Sequence, residues 1–117
     1  MSMPMTDPEI RHKIMSYLGL AMRAGKLATG EEAVLQAIRS GQAVKVLIAE
    51  DASENARKKY RDKCAFYQVP LSEPLNRHEL GRAIGKAERV AVAVTDPGFA
   101  GLIDKVLSES RGGGAFE

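Results

Sequence analysis

Apolar residues recur along the chain at two periods, and their alternation predicts the elements. Thr6 or Asp7 can cap a first helix, and Pro8 suits its first turn, where a missing N–H costs nothing. Ile10, Ile14, Tyr17, Leu18 and Ala21 follow at helical spacing, and Gly25 supplies a stop. Lys26 to Ala28 leaves room only for a short strand or turn. Thr29-Gly30-Glu31-Glu32 reads as a capping box, with the Thr29 hydroxyl accepting from the N–H three residues on and Glu32 reaching back. It opens a second helix to about Ser40, with Val34, Leu35, Ala37 and Ile38 inward and Gly41 at its end. Val44-Lys45-Val46-Leu47-Ile48-Ala49 reads as a strand buried on both faces.

Asp51 or Ser53 can cap a third helix, which carries Arg57-Lys58-Lys59 and Arg61 on what reads as its wet face. Val69-Pro70-Leu71 predicts a short edge strand, since proline cannot donate to a ladder. Asn76 with Glu79 repeats the capping pattern for a short helix to Ile84 or Gly85. Arg89-Val90-Ala91-Val92-Ala93-Val94 is the second buried strand. Asp96 and Pro97 open a last helix whose Phe99, Leu102, Ile103, Val106 and Leu107 form the clearest amphipathic stripe. Strands alternating with helices predict an α/β fold in which helices cover both faces of a central sheet of about four strands. One domain over residues 7–109 is expected, with disordered tails at 1–6 and 110–117, the latter holding Gly112-Gly113-Gly114.

Composition narrows the chemistry. The 117 residues suit one core, and without Trp and with three Phe and three Tyr that core is aliphatic. So few aromatics argue against base stacking as the main route to nucleic acid. A net charge of +2 permits contact with phosphate without demanding it. The lone Cys64 cannot form an internal disulfide, which favours a reducing cytoplasm, and no apolar run is long enough for a membrane span.

An enzyme needs a constellation of groups, and none is visible. His12 and His78 have no His or Cys at metal spacing, so no metal or other cofactor is expected. Cys64 reads as a small buried hydrophobe. Capping accounts for Glu32, Asp51 and Asp96. Gly81-Arg82-Ala83-Ile84-Gly85 crosses a helix end rather than following a strand, so it is not a phosphate loop.

Two segments can face RNA. Arg23 to Gly30 leads into the second helix, whose N-terminal N–H groups attract phosphate; equally, it can be a capped helix entered through a glycine turn. Glu31 and Glu32 repel phosphate there, unless they accept from base edges. The second segment is Leu80 to Arg89, with Arg82, Lys86 and Arg89 at a helix end; a solvated loop is the plain alternative. Gly81 inside a helix costs ~1 kcal/mol against alanine and so points to close packing or close ligand approach.

These segments also carry a resemblance. Gly19-Leu20-Ala21-Met22-Arg23-Ala24-Gly25-Lys26, Thr29-Gly30-Glu31-Glu32, Val46 to Ser53, Leu80 to Gly85 and Val90 to Asp96 stand in the order and spacing of the ribosomal protein L7Ae superfamily. Over residues 10–107 the chain resembles most its small bacterial YlxQ-like members. The resemblance implies a three-layer α/β/α sandwich and binding to kinked RNA stems (kink-turns). A monomer with a mixed sheet that binds such a stem or ribosomal RNA, free or on the ribosome, is expected. It maps guanine-contacting positions onto Gly30, Glu31, Glu32, Ala33 and Gln36, and a loop that packs on flipped-out bases onto Lys86, Ala87, Glu88, Arg89 and Val90. Lys26 adds a flanking cation. The sequence departs from the archaeal pattern, with Glu32 for asparagine, Ala33 for glutamate, Gln36 for lysine, and Ala87-Glu88-Arg89 for an apolar loop. Those departures keep a second function open, a protein-interaction module on the same fold.

Overall fold

The computed structural model describes residues 8–115, with side chains to residue 109. Its elements are α1 (Pro8–Arg23), β1 (Leu27–Thr29), α2 (Glu31–Ser40), β2 (Lys45–Ile48), α3 (Glu54–Tyr67), β3 (Leu71–Ser72), α4 (Arg77–Ala83), β4 (Ala91–Val94) and α5 (Pro97–Ala115). Strand order is β1-β4-β2-β3, with β4 antiparallel to both neighbours and β2 parallel to β3.

The period-two pleat sorts the central strands between two cores. Leu47, Ala49, Val92 and Val94 pack with Ile14 and Leu18 of α1, Leu80 of α4 and Ile103 of α5. Val46, Ile48, Ala91 and Ala93 pack with Val34 and Ile38 of α2 and Tyr60 and Cys64 of α3. Helices therefore cover both faces of a mixed four-stranded sheet, a three-layer α/β/α sandwich. Both central strands are buried throughout, as their near-continuous apolar runs require. Lys45 is the exception in type: it is buried, and its ammonium meets Asp104 of α5 at 3.0 Å and the Ser72 hydroxyl at 2.8 Å.

Several local expectations hold. Asn76 and Glu79 form a reciprocal capping box on α4. The Asp96 carboxylate accepts from the Phe99 N–H at 3.0 Å, and Gly41 closes α2 in the left-handed conformation. Ser53 caps α3. Asp51 instead accepts from the Arg77 N–H at 2.9 Å and so serves the first turn of α4.

Others are corrected. Thr29 caps nothing: it ends β1, paired with Val92, so the N-cap passes to Gly30 (φ 92°) with no side-chain bond. Strand pairing holds Thr29 in the ladder and outweighs a local cap. On α5, Leu102 is 41% exposed, whereas Ala100, Ile103 and Val106 are buried in the core and Phe99 and Leu107 pack against it. The backbone of α5 is helical to Ala115, past the tail boundary expected at Ser110; extending a formed helix needs no new nucleus. The N-terminal tail, 1–6, lies outside the described residues.

A charge network fixes α4. Arg11 of α1 donates from Nε to Glu79 at 3.1 Å and from Nη2 to Glu50 at 2.9 Å. Burial alone would raise the Glu79 carboxyl; bonds from Arg11 and the Asn76 N–H, with the charges of Arg11 and His78, outweigh it and hold it below its ordinary value. Gly19 sits against the Ala83 carbonyl, where a Cβ would lie at 3.0 Å, so α1 and α4 approach closely.

Candidate nucleic-acid interface

Register builds the site. Antiparallel pairing of Thr29 with Val92 sets Gly30, at the exit of β1, beside Ala91, at the entry of β4. The head of α2 and the loop that feeds β4 therefore meet at one end of the sheet. Between them lies a cleft of about 290 Å³ whose lining includes Gly30, Glu31, Lys59, Tyr60, Glu88 and Arg89.

The loop is held by main chain. The Lys86 N–H donates to the Gly81 carbonyl at 2.9 Å, and the Arg89 N–H to the Arg77 carbonyl at 3.1 Å. Gly81 is buried beneath it; a Cβ there would lie 2.0 Å from the Ala87 oxygen and 2.6 Å from its carbonyl carbon. The helix glycine thus serves close packing of this loop.

Side chains on the loop stay available. Lys86, Ala87 and Glu88 are exposed. Arg89 is half-buried and gives Nη1 to the Glu88 carbonyl at 3.0 Å, while its Nε is buried with no hydrogen-bond partner. The Arg57 Nε is likewise unpartnered, but the Arg57 guanidinium holds Glu73 at 3.1 Å. Arg89 has no carboxylate partner among the described residues. An unsatisfied buried donor costs roughly 1–3 kcal/mol.

Across the cleft, Glu31 is ion-paired with Lys59 of α3. That pairing offsets its repulsion of an approaching phosphate, a tension evident from the sequence. Burial, then the Glu31 charge, push the Tyr60 hydroxyl up to about 12, so it stays protonated. Glu32 and Gln36 are exposed, one turn apart, on the outer face of α2, where they line a groove with Arg39.

The structure gathers Gly30, Glu31, Glu88 and Arg89 around one cleft, with Lys86 and Ala87 on the same loop and Glu32 and Gln36 on the adjoining helix face. It does not bring Lys26 there. The Lys26 carbonyl accepts from the Thr95 N–H at 2.9 Å, at the opposite end of β1. Four residues at a strand's rise separate it from Gly30 by about 13 Å. Conversely, Lys59, which reads from sequence as part of a solvated face, and Tyr60, which sequence did not single out, belong to the cleft wall. The available signal was Tyr60: a residue one step back along a helix borders the buried stripe instead of opposing it.

Burial pushes the Cys64 thiol up to about 11, far from a nucleophile's range. Among the described residues no group of three His, Cys, Asp or Glu could hold a metal ion, and His12 and His78 are exposed. No described helix is long and apolar enough to cross a membrane.

Comparison with known proteins agrees with this architecture. Residues 12–103 match the family described as ribosomal protein L7Ae/L30e/S12e/Gadd45. The RNA-binding protein YlxQ of Bacillus subtilis is 51% identical over 90 residues, which cover 77% of this chain and 90% of that one. The large ribosomal subunit protein eL30 of Spodoptera frugiperda is 34% identical over 104 residues, 84% of this chain and 88% of that one. A solved structure of a Bacillus halodurans C protein of unknown function superposes with a TM-score of 0.78 at 46% identity, covering 82% of this chain and 97% of that one. The chain belongs to the ribosomal protein L7Ae/L30e/S12e/Gadd45 family, among its YlxQ-like members.

Proposed function

We propose that this protein binds structured RNA, a kink-turn-like stem or ribosomal RNA, without catalysing a reaction on it. It does so as a cytoplasmic monomer, free or on the ribosome. One observation carries the reading: the β1–β4 register sets the N–H groups at the head of α2 and Arg89, a cation without a carboxylate partner among the described residues, around a single cleft. Amide donors at a helix start suit phosphate oxygens, and an arginine with a free edge suits phosphate or guanine. Glu31 and Glu32 then face bases and accept from amino or imino groups. The B. subtilis relative is an RNA-binding protein and the S. frugiperda relative a ribosomal subunit protein, which supports the same class of ligand.

Few cations surround the cleft, so two or three phosphates are neutralised. A log–log slope of affinity against salt of about −2 is expected. Gel shift with a kink-turn duplex and an unkinked control tests the proposal. Wild type retains the kinked duplex preferentially, and Lys86→Ala with Arg89→Ala weakens retention about ten-fold or more. Binding that the double change leaves untouched removes this surface from consideration.

The exposed acidic pair Glu31–Glu32 favours a second reading, a docking site for a basic protein segment on the same fold. Equal, negligible retention of both duplexes selects it.

A further inference from the structure

The two aromatic residues that end α3 are on the surface. Phe66 is 78% exposed and Tyr67 38%, their rings in edge contact with centroids 4.8 Å apart. Only six Phe and Tyr exist in the whole chain, so exposing an adjacent pair forgoes scarce apolar burial. Folding gains nothing from Phe66 in that position.

Their surroundings are cationic. Helix α3 carries five Lys and Arg against two Asp and Glu, a larger excess than the +2 of the entire chain. Lys63 follows Lys59 by four residues, and Phe66 and Tyr67 follow Lys63 by three and four, so all four line a shared groove with Asp62. Lys58 is ion-paired to Asp62, Lys59 to Glu31 and both Arg57 and Arg61 to Glu73, which leaves Lys63 as the cation of this helix without an ion pair among the described residues. Lys59 also lines the cleft below Arg89, so groove and cleft are continuous through a single side chain. From Lys59 to Phe66 this stripe of the helix runs about 10 Å along the helix axis.

We propose that this stripe is a second RNA subsite, which stacks unpaired nucleotides flanking the stem held in the cleft. The inference rests on the RNA-binding reading of the cleft and extends it to single-stranded RNA. Every base has a π-face, so the two rings accept nucleotides without sequence preference, while Lys63 meets a phosphate. Composition argued against stacking because aromatics are few; their placement reverses that conclusion for this surface.

The test compares a blunt kink-turn duplex with the same duplex carrying a tail of about six unpaired uridines at either end, within the usual reach of one single-strand site. Phe66→Ala with Tyr67→Ala should weaken the tailed RNA about ten-fold and leave the blunt one unchanged; Phe66→Ala alone, at a residue 78% exposed, should weaken the tailed RNA in part with the melting temperature unmoved. Phe66→Trp should restore binding. In a chain without tryptophan it also supplies a fluorophore, which a stacked uridine tail quenches. Lys86→Ala with Arg89→Ala should weaken both RNAs equally, which separates the cleft from the stripe. If wild type fails to hold the blunt duplex, the cleft reading falls, and quenching of the tryptophan by oligo-uridine alone still decides the stripe. Equal loss on both RNAs, no loss on the tailed RNA, or a dimer in sedimentation that the alanine pair dissociates would each overturn the subsite.

Discussion

Two arginines show how differently this fold uses the same side chain. Arg11, in the seam between α1 and α4, spends its guanidinium on Glu79 and Glu50. Arg89, at the cleft, has a buried Nε without a partner and only a neighbouring carbonyl on Nη1. The first ties helices together, and its attraction to Glu79 keeps it firmly protonated against the opposing cost of burial. The second is held at its backbone by Arg77 and keeps donor capacity in hand. A cation held by two carboxylates in a helix seam is framework; one that lines a cleft without a carboxylate partner is equipment for a ligand.

Exchanging the two should therefore separate stability from binding. Arg11→Met is expected to remove about 3 kcal/mol of unfolding free energy in urea, because it strands two carboxylates in a partly buried seam. Arg89→Met should change the urea midpoint little and weaken RNA in gel shift. An Arg89→Met protein as unstable as Arg11→Met would erase the distinction.

Next in size is Gly81→Ala. Its new methyl collides with the Ala87 carbonyl, so the loop must move, at a cost of about 1–3 kcal/mol for overpacking. Amide exchange should quicken at Lys86, whose N–H bonds to Gly81, and RNA binding should fall with it.

A smaller effect is expected from acid. The Glu79 carboxyl lies below its unfolded value near 4.3, so its contribution is complete above that pH and is lost as pH falls through the folded value. Urea midpoints measured from pH 6 to 2 should drop over that window in wild type. In Arg11→Met the drop should begin at higher pH, since the charge that lowers the carboxyl is gone.

Much of this was legible along the chain where local chemistry and tertiary context agree. The Asn76–Glu79 box, the Asp96 cap and the two central strands are of this kind. Legibility failed where a partner distant in sequence decided the outcome. Thr29 reads as a cap until Val92 claims it for the sheet, and Lys59 reads as solvated until Glu31 meets it from another helix. Lys26 shares a short segment with Gly30, yet a strand intervenes and carries the two to opposite ends of the sheet. Leu102 fits the helical stripe of α5, but the face presented to the core is narrower than the stripe. For the site, sequence supplied most of the participants and the fold supplied their adjacency.

The loop over Gly81 has a consequence for how such a protein changes its target. Its attachments are amide to carbonyl, made by Lys86 and Arg89 through atoms that every non-proline residue has. Residues 86 to 89 can thus be rewritten without dismantling their own anchorage, so long as position 81 stays glycine. A new ligand preference can arise by altering the lining of a socket whose rim never varies.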